Sequence, residues 1–287
     1  MEKIGNQKIW SYFDSSKTAA PVSNQKIRGG PGHPVSSYFQ LAKKVAELQF
    51  LNREHVLLFR GQDADYSTTK GNSMLKAKLF RLNGHKRLGP KTLRERFARL
   101  KSTEDRLVEL YMSQKHRGIE RLKRHRILRW AILQHYEVCA TPLLDVTQSL
   151  RIAASFASLN ATDRAFVLVL GVPTLSGAVT ASSEAGLQIV RLSSACPPAA
   201  IRPHLQEGYL LGEYPEIANF AQNSHYKYYE MDFGRRLVAK FRFDPNTFWS
   251  SDNFPPASKN ALYPQEHRDG LLKLIEELNA FSLAQEA

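Results

Sequence analysis

The chain has 287 residues, 43% of them hydrophobic and 23% charged, a composition typical of a globular protein with a substantial core. Its apolar runs are shorter than the roughly 20 residues that a membrane helix needs, and its polar N-terminus does not resemble a signal peptide. Two cysteines, Cys139 and Cys196, are too few for a disulfide framework or a zinc cluster. We expect a cytoplasmic protein without bound metal or membrane contact.

The positive charge is concentrated in one part of the chain. The net charge is +13, and residues 76–129, here called the basic window, contain 18 Lys or Arg against 5 Asp or Glu, while the rest of the chain is neutral. Such a field attracts polyanions, so we predict nucleic-acid contact there. The alternatives are an acidic protein partner or a solvated helical face. The residues predicted to touch nucleic acid are Arg94, Arg99, Arg121, Lys123, Arg124 and Arg126.

The first half of the chain predicts an arm followed by a domain. Residues 1–34 are polar and end in a Gly- and Pro-rich run, so we predict a flexible N-terminal arm there and a domain over residues 35–287. Apolar residues near helical spacing predict a helix over 36–51. The short apolar run His55–Phe59 predicts a buried strand, with Arg60-Gly61-Gln62 at its end.

The rest of the chain mixes helices and strands. The basic window is predicted to form two or three helices, and the helix that follows it ends at His135. A further amphipathic helix is predicted over Ser149–Leu159. The remaining predictions are strands at Ala165–Leu170, Gly186–Leu192, Gly208–Leu211 and Leu237–Phe243, and a helix at Asp269–Phe281. Because these elements lack regular βαβ alternation, we predict an α+β fold.

Three motifs occur in a fixed order along the chain. The first is Phe59-Arg60-Gly61-Gln62, the second runs from Gln134-His135-Tyr136 to Asp145-Val146-Thr147, and the third is Arg202–Tyr209. Together they resemble the FRG-domain family, which is named for its Phe-Arg-Gly signature. Residues Met74–Arg81, interpreted as a helix, and Leu262-Tyr263-Pro264 are similar to the family's outer segments.

The resemblance implies both a fold and a reaction, because FRG domains look distantly similar to ADP-ribosyltransferases. It implies a split antiparallel β core with flanking helices, and NAD as co-substrate. Those enzymes use an Arg on an early strand, a Ser or Thr on a second strand before a helix, and a Glu or Gln at a later strand. The corresponding residues here are Arg60, Thr147 and the pair Gln206 and Glu207, which we expect to be catalytic.

The expected NAD-binding residues each have a structural alternative. A guanidinium suits a pyrophosphate oxygen, and a glycine leaves room for close approach to the nicotinamide amide. The alternatives are a strand cap for Arg60, a turn for Gly61, a helix N-cap for Thr147, a structural role for His135, and core packing for the aromatic residues. The full predicted set is Arg60, Gly61, Gln62, His135, Tyr136, Asp145, Phe156 and Arg202.

Two pairs of polar residues have spacings that determine which face of a strand each residue would occupy. Asp145 and Thr147 are two apart, so on a strand they share a face, and Asp145 is a candidate partner for Arg60 or Arg202. Gln206 and Glu207 are adjacent, so on a strand only one of them faces the cleft. Gln206 occupies the motif position, whereas Glu207 is the stronger base.

The resemblance and the charge together predict an NAD-dependent ADP-ribosyltransferase that modifies nucleic acid, RNA in preference to DNA. An enzyme of this kind harms its own host, so the expected setting is a toxin–antitoxin or phage-defence system with a neutralising partner protein. One alternative is an enzyme of the same fold that modifies protein or hydrolyses NAD. Another is a nucleic-acid-binding module without catalytic activity.

Overall fold

The structure is a computed structural model that describes residues 8–81, 88–198, 200–227, 230–250, 254–264 and 269–284. It is a mixed α+β protein with a mostly antiparallel sheet and flanking helices. The strands are β1 (Lys8–Ser11), β2 (Ala20–Ser23), β3 (His33–Pro34), β4 (Val56–Gln62), β5 (Leu144–Thr147), β6 (Ala165–Val172), β7 (Val179–Ser182), β8 (Leu187–Arg191), β9 (Gly208–Glu213) and β10 (Leu237–Phe243).

Short and long helices accompany the strands. They are α1 (Asn24–Gly29), α2 (Tyr38–Leu51), α3 (Pro90–Ser113), α4 (Ile119–Arg124), α5 (Arg126–His135), α6 (Leu150–Ser158), α7 (Leu192–Ala195), α8 (Arg202–Leu205), α9 (Phe220–Asn223), α10 (Pro245–Phe248), α11 (Lys259–Leu262) and α12 (Leu272–Ala284). Two 3₁₀ turns lie at Lys78–Phe80 and Phe233–Arg236. None of the helices in the described ranges is both long and apolar enough to cross a bilayer.

The described residues form two compact units, each built from three stretches of sequence. The first unit draws on Met1–Leu75, Val146–Leu175 and Asp232–Leu262. The second unit draws on Lys76–Asp145, Ser176–Met231 and Tyr263–Ala287. One domain over residues 35–287 stays a prediction.

The sheet of the first unit is centred on β6. The strand order is β3-β10-β6-β4-β5, with β3 parallel to β10 and the other neighbours antiparallel. All residues of β6 are buried, as expected for an apolar strand covered on both faces. Helix α6 begins at Leu150 after the Ser149 N-cap, whose hydroxyl accepts from the Ile152 amide.

The N-terminal segment is ordered within this first unit, which corrects the predicted flexible arm. Strands β1 and β2 form an antiparallel hairpin that α1 and β3 follow. Ile9, Val22 and Ile27 are buried, so isolated apolar residues in a polar segment anchor it. Residues 1–7 of the predicted arm lie outside the described residues.

The second unit combines the helices of the basic window with a small antiparallel sheet. The predicted helices of the window are confirmed as α3, α4 and α5, and the sheet has the strand order β9-β8-β7. The buried carboxylate of Glu104 on α3 accepts bonds from Arg129 Nε (2.9 Å) and Trp130 Nε1 (2.5 Å) on α5. The prediction of a helix over Met74–Arg81 is wrong, because only the 3₁₀ turn at Lys78–Phe80 forms there.

Candidate functional site

Arg60 lies within β4 rather than at its end, because the strand continues to Gln62. Arg60 pairs across the sheet with Leu168 of β6, which in turn pairs with Lys240 of β10. Directly opposed residues on neighbouring strands share a face, so Arg60, Leu168 and Lys240 form one row. Arg60 is half-buried, and Gln62, two residues on, occupies the same face and is buried.

The positive charge of Lys240 in this row is balanced inside the first unit. Its side chain is 1% exposed, and Nζ donates to Asp65 Oδ2 at 2.6 Å and Ser73 Oγ at 2.7 Å. Nζ also lies 3.2 Å from the carbonyl oxygen of Arg28, whose guanidinium bonds Asp232. This network fixes the loop after β4 to the sheet.

Gly61 is required by the packing of helix α6 on β4. A Cβ atom at this position would lie 1.8 Å from the Ala153 carbonyl oxygen and 2.7 Å from the Ala157 amide nitrogen. The sequence predicted that this glycine makes room for nicotinamide. The structure corrects that reason, because the helix of the protein itself fills the space.

Thr147, the last residue of β5, lies opposite Phe59 of β4. It therefore shares the face of Phe59 and Gly61, and the register puts Arg60 on the other face of the sheet. Thr147 therefore projects from the face of the sheet opposite to that of Arg60. Its Oγ1 accepts from the Ser149 amide at 3.0 Å, and Ser149, not Thr147, is the N-cap of α6.

In the second unit, the polar residues of the second motif form a hydrogen-bonded chain. Gln134 Nε2 donates to Asp145 Oδ2 at 2.5 Å, and Thr141 Oγ1 donates to Gln134 Oε1 at 2.6 Å. Thr141 Oγ1 also accepts from the Leu143 amide at 3.2 Å. The glutamine thus fixes the segment that leads into β5.

His135 and Tyr136 end helix α5 side by side, with ring centroids 5.5 Å apart. Burial, with a smaller contribution from Arg202, lowers the pKa of His135 to about 3. The ring is therefore neutral near pH 7 and has no imidazolium proton to donate, so proton transfer as an acid does not fit. Its buried Nε2 has no described hydrogen-bond partner.

The partner of Tyr136 is Asp269, which the sequence interpretation missed. Asp269 is 2% exposed and accepts from the Tyr136 hydroxyl at 2.8 Å and from the Arg202 amide at 3.1 Å. Burial and this carboxylate raise the pKa of Tyr136. No local pattern marks Asp269, since its partners lie far away in sequence.

Arg202 joins this cluster through its side chain. Its guanidinium carbon lies 5.7 Å from the Tyr136 ring centroid and 4.6 Å from the Tyr263 ring centroid. Its Nη2 bonds Glu137 Oε1 at 3.0 Å. The second unit therefore brings His135, Tyr136 and Arg202 together with Asp269.

The strand argument for Gln206 and Glu207 is wrong, because neither residue lies on a strand. Gln206 is the buried C-cap of α8, and β9 begins at Gly208. Glu207 is exposed and has a left-handed backbone with φ of 46°. A non-glycine residue pays about 1 kcal/mol or more for this conformation, so Glu207 is strained where glycine is usual.

The substitution Glu207→Gly distinguishes the effect of this residue on the free energy of unfolding from its effect on NAD consumption. We expect Glu207→Gly to raise the free energy of unfolding by about 0.5–1 kcal/mol, because the left-handed strain is relieved. If Glu207 is the catalytic carboxylate, NAD consumption falls at least about a hundredfold. Urea denaturation and a nicotinamide-release assay measure the two effects.

The control is Lys115→Gly, since Lys115 has a similar left-handed φ of 55° after α3. It should gain similar stability and keep its rate of NAD consumption without acceptor. Full NAD turnover by the Glu207→Gly variant would remove Glu207 from the catalytic set and leave Gln206.

The structure places the predicted nucleic-acid residues of the basic window in different environments. Arg126 lies 3.8 Å from buried Glu104, and Arg94 lies over the Phe220 ring at 4.4 Å. Arg121 and Arg124 are exposed on α4. Lys123, also exposed there, is 3.4 Å from Glu120. Arg99 is half-buried beside α12. Charge counting alone does not distinguish these environments.

The protein is mixed α+β. It has arginines at two candidate ligand-binding positions, Arg60 in the sheet of the first unit and Arg202 in the cluster of the second unit. Comparison with protein families matches residues 55–165 of the chain to the FRG domain. The match includes Arg60 and Thr147, whereas the segments around Arg202 and Leu262 lie beyond it. Neither the curated proteins nor the solved structures that were compared gave a match.

Within the parts of the chain that the structure describes, no three His, Cys, Asp or Glu side chains are placed to hold a metal ion together. Both cysteines are buried, and burial raises the pKa of each thiol to about 12. Cys139 and Cys196 are therefore neutral thiols and poor nucleophiles near pH 7.

Proposed function

We propose that this protein is an NAD-dependent ADP-ribosyltransferase that modifies nucleic acid, RNA in preference to DNA. The observation that carries the proposal is the position of Arg60. It lies inside the FRG match, on a strand of a mostly antiparallel sheet, and its side chain remains partly exposed to solvent. A guanidinium in that setting can form charge-assisted bonds to a pyrophosphate.

The proposed reaction replaces nicotinamide by a nucleophile of the acceptor. The bond between nicotinamide and the ribose carbon breaks, and neutral nicotinamide leaves with the electron pair. The acceptor's oxygen or nitrogen bonds to that carbon, and its proton passes to a carboxylate or to water. The transition state resembles an oxocarbenium ion, which a nearby carboxylate stabilises.

Within this proposal, Arg60 binds the pyrophosphate, and the catalytic residue is either Gln206, at the motif position, or Glu207, the stronger base. Arg202, beside two tyrosine rings, is a candidate for a further phosphate contact. The exposed cations of α4 are candidates for the acceptor. A transferase of this type damages its own cell, so the proposal includes a neutralising partner and a role in toxin–antitoxin or phage defence.

The test of the proposal is the loss of NAD consumption when Arg60 is replaced. Arg60→Ala should reduce nicotinamide release by at least about a hundredfold, and Arg60→Lys should restore little, because an ammonium lacks the bidentate geometry of a guanidinium. The control is Arg53→Ala, an exposed arginine just before β4, which should turn over NAD normally. Circular dichroism confirms that each variant is folded.

Labelled NAD offered with separate RNA, DNA and protein pools identifies the acceptor. Label on RNA supports the proposal, label on protein supports a protein-modifying enzyme, and release of free ADP-ribose alone supports an NAD hydrolase. Normal turnover by folded Arg60→Ala contradicts the assignment of Arg60. If the native chain binds nucleic acid and leaves NAD intact, it is a non-catalytic binding module.

A further inference from the structure

A cleft of about 990 Å³ opens within the second unit, between the start of α3 and the end of α12. Four cationic side chains line it, Lys78, Arg81, Arg96 and Arg99, and we call it the basic cleft. Only Arg99 of these was predicted to touch nucleic acid. Ligand pockets of this size are usually lined by apolar side chains, so a charged lining points to a charged ligand.

The arginines of the basic cleft are oriented by neutral oxygen atoms. Arg96 Nη1 donates to the Leu79 carbonyl oxygen at 2.7 Å, and Arg81 Nε donates to the Lys76 carbonyl oxygen at 2.9 Å. Arg99 Nη2 donates to Ser282 Oγ at 2.7 Å. These bonds to carbonyl and hydroxyl oxygens fix the orientation of the three guanidinium groups.

The charge of the lining is positive overall. Glu95 and Glu137 are its carboxylates, against the four cations. Burial lowers the pKa of Arg96, which means that the protein around it favours loss of its charge. A bound anion would favour the charged form.

The described lining of the basic cleft contains no aromatic side chain. Single-stranded nucleic acids are held by cationic grooves along the backbone and by aromatic rings that stack on bases. A groove with cations and without rings contacts phosphates and leaves the bases free. That arrangement suits an acceptor whose base must remain available for a reaction.

We infer that the basic cleft binds the phosphodiester backbone of a single-stranded nucleic acid. That the bound nucleic acid is the acceptor of the reaction is a further step, and this step rests on the proposed function. Binding itself needs no NAD, so the two are measured separately. If the native chain binds RNA but transfers no ADP-ribose, the proposed function is contradicted and the inference about the cleft is not.

The test is fluorescence anisotropy of the full chain with a short labelled single-stranded RNA of mixed sequence, over a series of salt concentrations. Lys78 and Arg81 are exposed, so Lys78→Gln/Arg81→Gln should fold normally. Each lost phosphate contact lowers the salt slope by about 0.7, so the double variant should lose about 1.4 of slope and bind about 25-fold more weakly at about 0.1 M salt.

A second variant changes the charge of the cleft without removing an arginine. Asn279→Asp places an isosteric negative charge on its α12 wall and should weaken RNA binding about fivefold, the effect of about one phosphate contact. The matched control is Asn260→Asp, which makes the same change at an exposed position on α11. It should bind RNA like the native chain.

Several outcomes would overturn the inference. One is absence of RNA binding by the native chain at low salt, and another is unchanged binding and salt slope in both cleft variants. A third is a loss that follows Arg121→Gln/Arg124→Gln on α4 and not the cleft variants. Competition for the cleft by poly-glutamate or by ATP, with RNA ineffective, would reassign it to an acidic protein or a free nucleotide.

Discussion

Replacing Gly61 with alanine is expected to lower the free energy of unfolding by about 3 kcal/mol or more, the upper end of overpacking costs. The added methyl group would lie 1.8 Å from the Ala153 carbonyl oxygen. Because the obstructing atoms belong to the backbone of α6, no side-chain rotation relieves the clash. The helix must move away from β4, and its buried alanines then lose their contacts. Urea denaturation followed by tryptophan fluorescence measures the change.

The control is Gly89→Ala, since Gly89 has an ordinary φ of −76° and no atom of the described residues lies within 4 Å of where its Cβ would stand. It should change stability by less than about 1 kcal/mol, as expected for replacing glycine at a helix N-cap. A Gly61→Ala chain with native stability but without NAD turnover would show that Gly61 serves a ligand. That result would restore the interpretation drawn from the sequence.

Replacing Lys240 with methionine is expected to cost about 3 kcal/mol, the lower end for breaking a buried ion pair. The substitution leaves Asp65 and the Ser73 hydroxyl without the ammonium that they contact at 2.6 and 2.7 Å. The lower end applies because the Asp65 side chain is 22% exposed and can be hydrated. Thermal and urea unfolding measure the loss.

The matched control is Lys101→Met, the same substitution in an ion pair whose Lys101 and Asp105 side chains are both more than half exposed. It should cost less than about 1 kcal/mol. Adding Asp65→Asn to Lys240→Met should recover part of the loss, because the unpaired charge is then removed. Equal losses for the two methionine variants would show that the buried network contributes no more than a surface pair.

Local sequence patterns predicted the elements whose contacts follow from their own residues. Strand β10 has the predicted bounds, Leu237–Phe243, because alternating apolar residues suffice to define a strand. A continuous apolar run predicted β6, and apolar residues near helical spacing predicted α2. The structure places the motif residues His135, Tyr136 and Arg202 together, whereas their role in binding NAD stays a prediction.

The features that the sequence did not reveal depend on contacts between distant segments. The reason for Gly61 is the backbone of α6, and Tyr136 bonds an aspartate, Asp269, that no pattern marks. The N-terminal hairpin has few apolar residues, so its composition resembles that of a flexible arm. Gln206 and Glu207 were assigned to a strand because the resemblance implied one, and the four-residue helix α8 is too short to give a periodic signal of its own.

In the first unit, strand β6 is synthesised well before β10, one of its two neighbours in the sheet. The central strand β6 lies between β4 and β10, and β10 follows β6 by roughly 65 residues, about 3–13 s of synthesis. During that time one edge of an apolar strand has no partner on the nascent chain, and such edges promote aggregation. The FRG match, residues 55–165, ends at the first residue of β6. A fragment with those limits would lack β6, the strand on which β4 pairs, so we expect such a fragment not to form the sheet of the first unit.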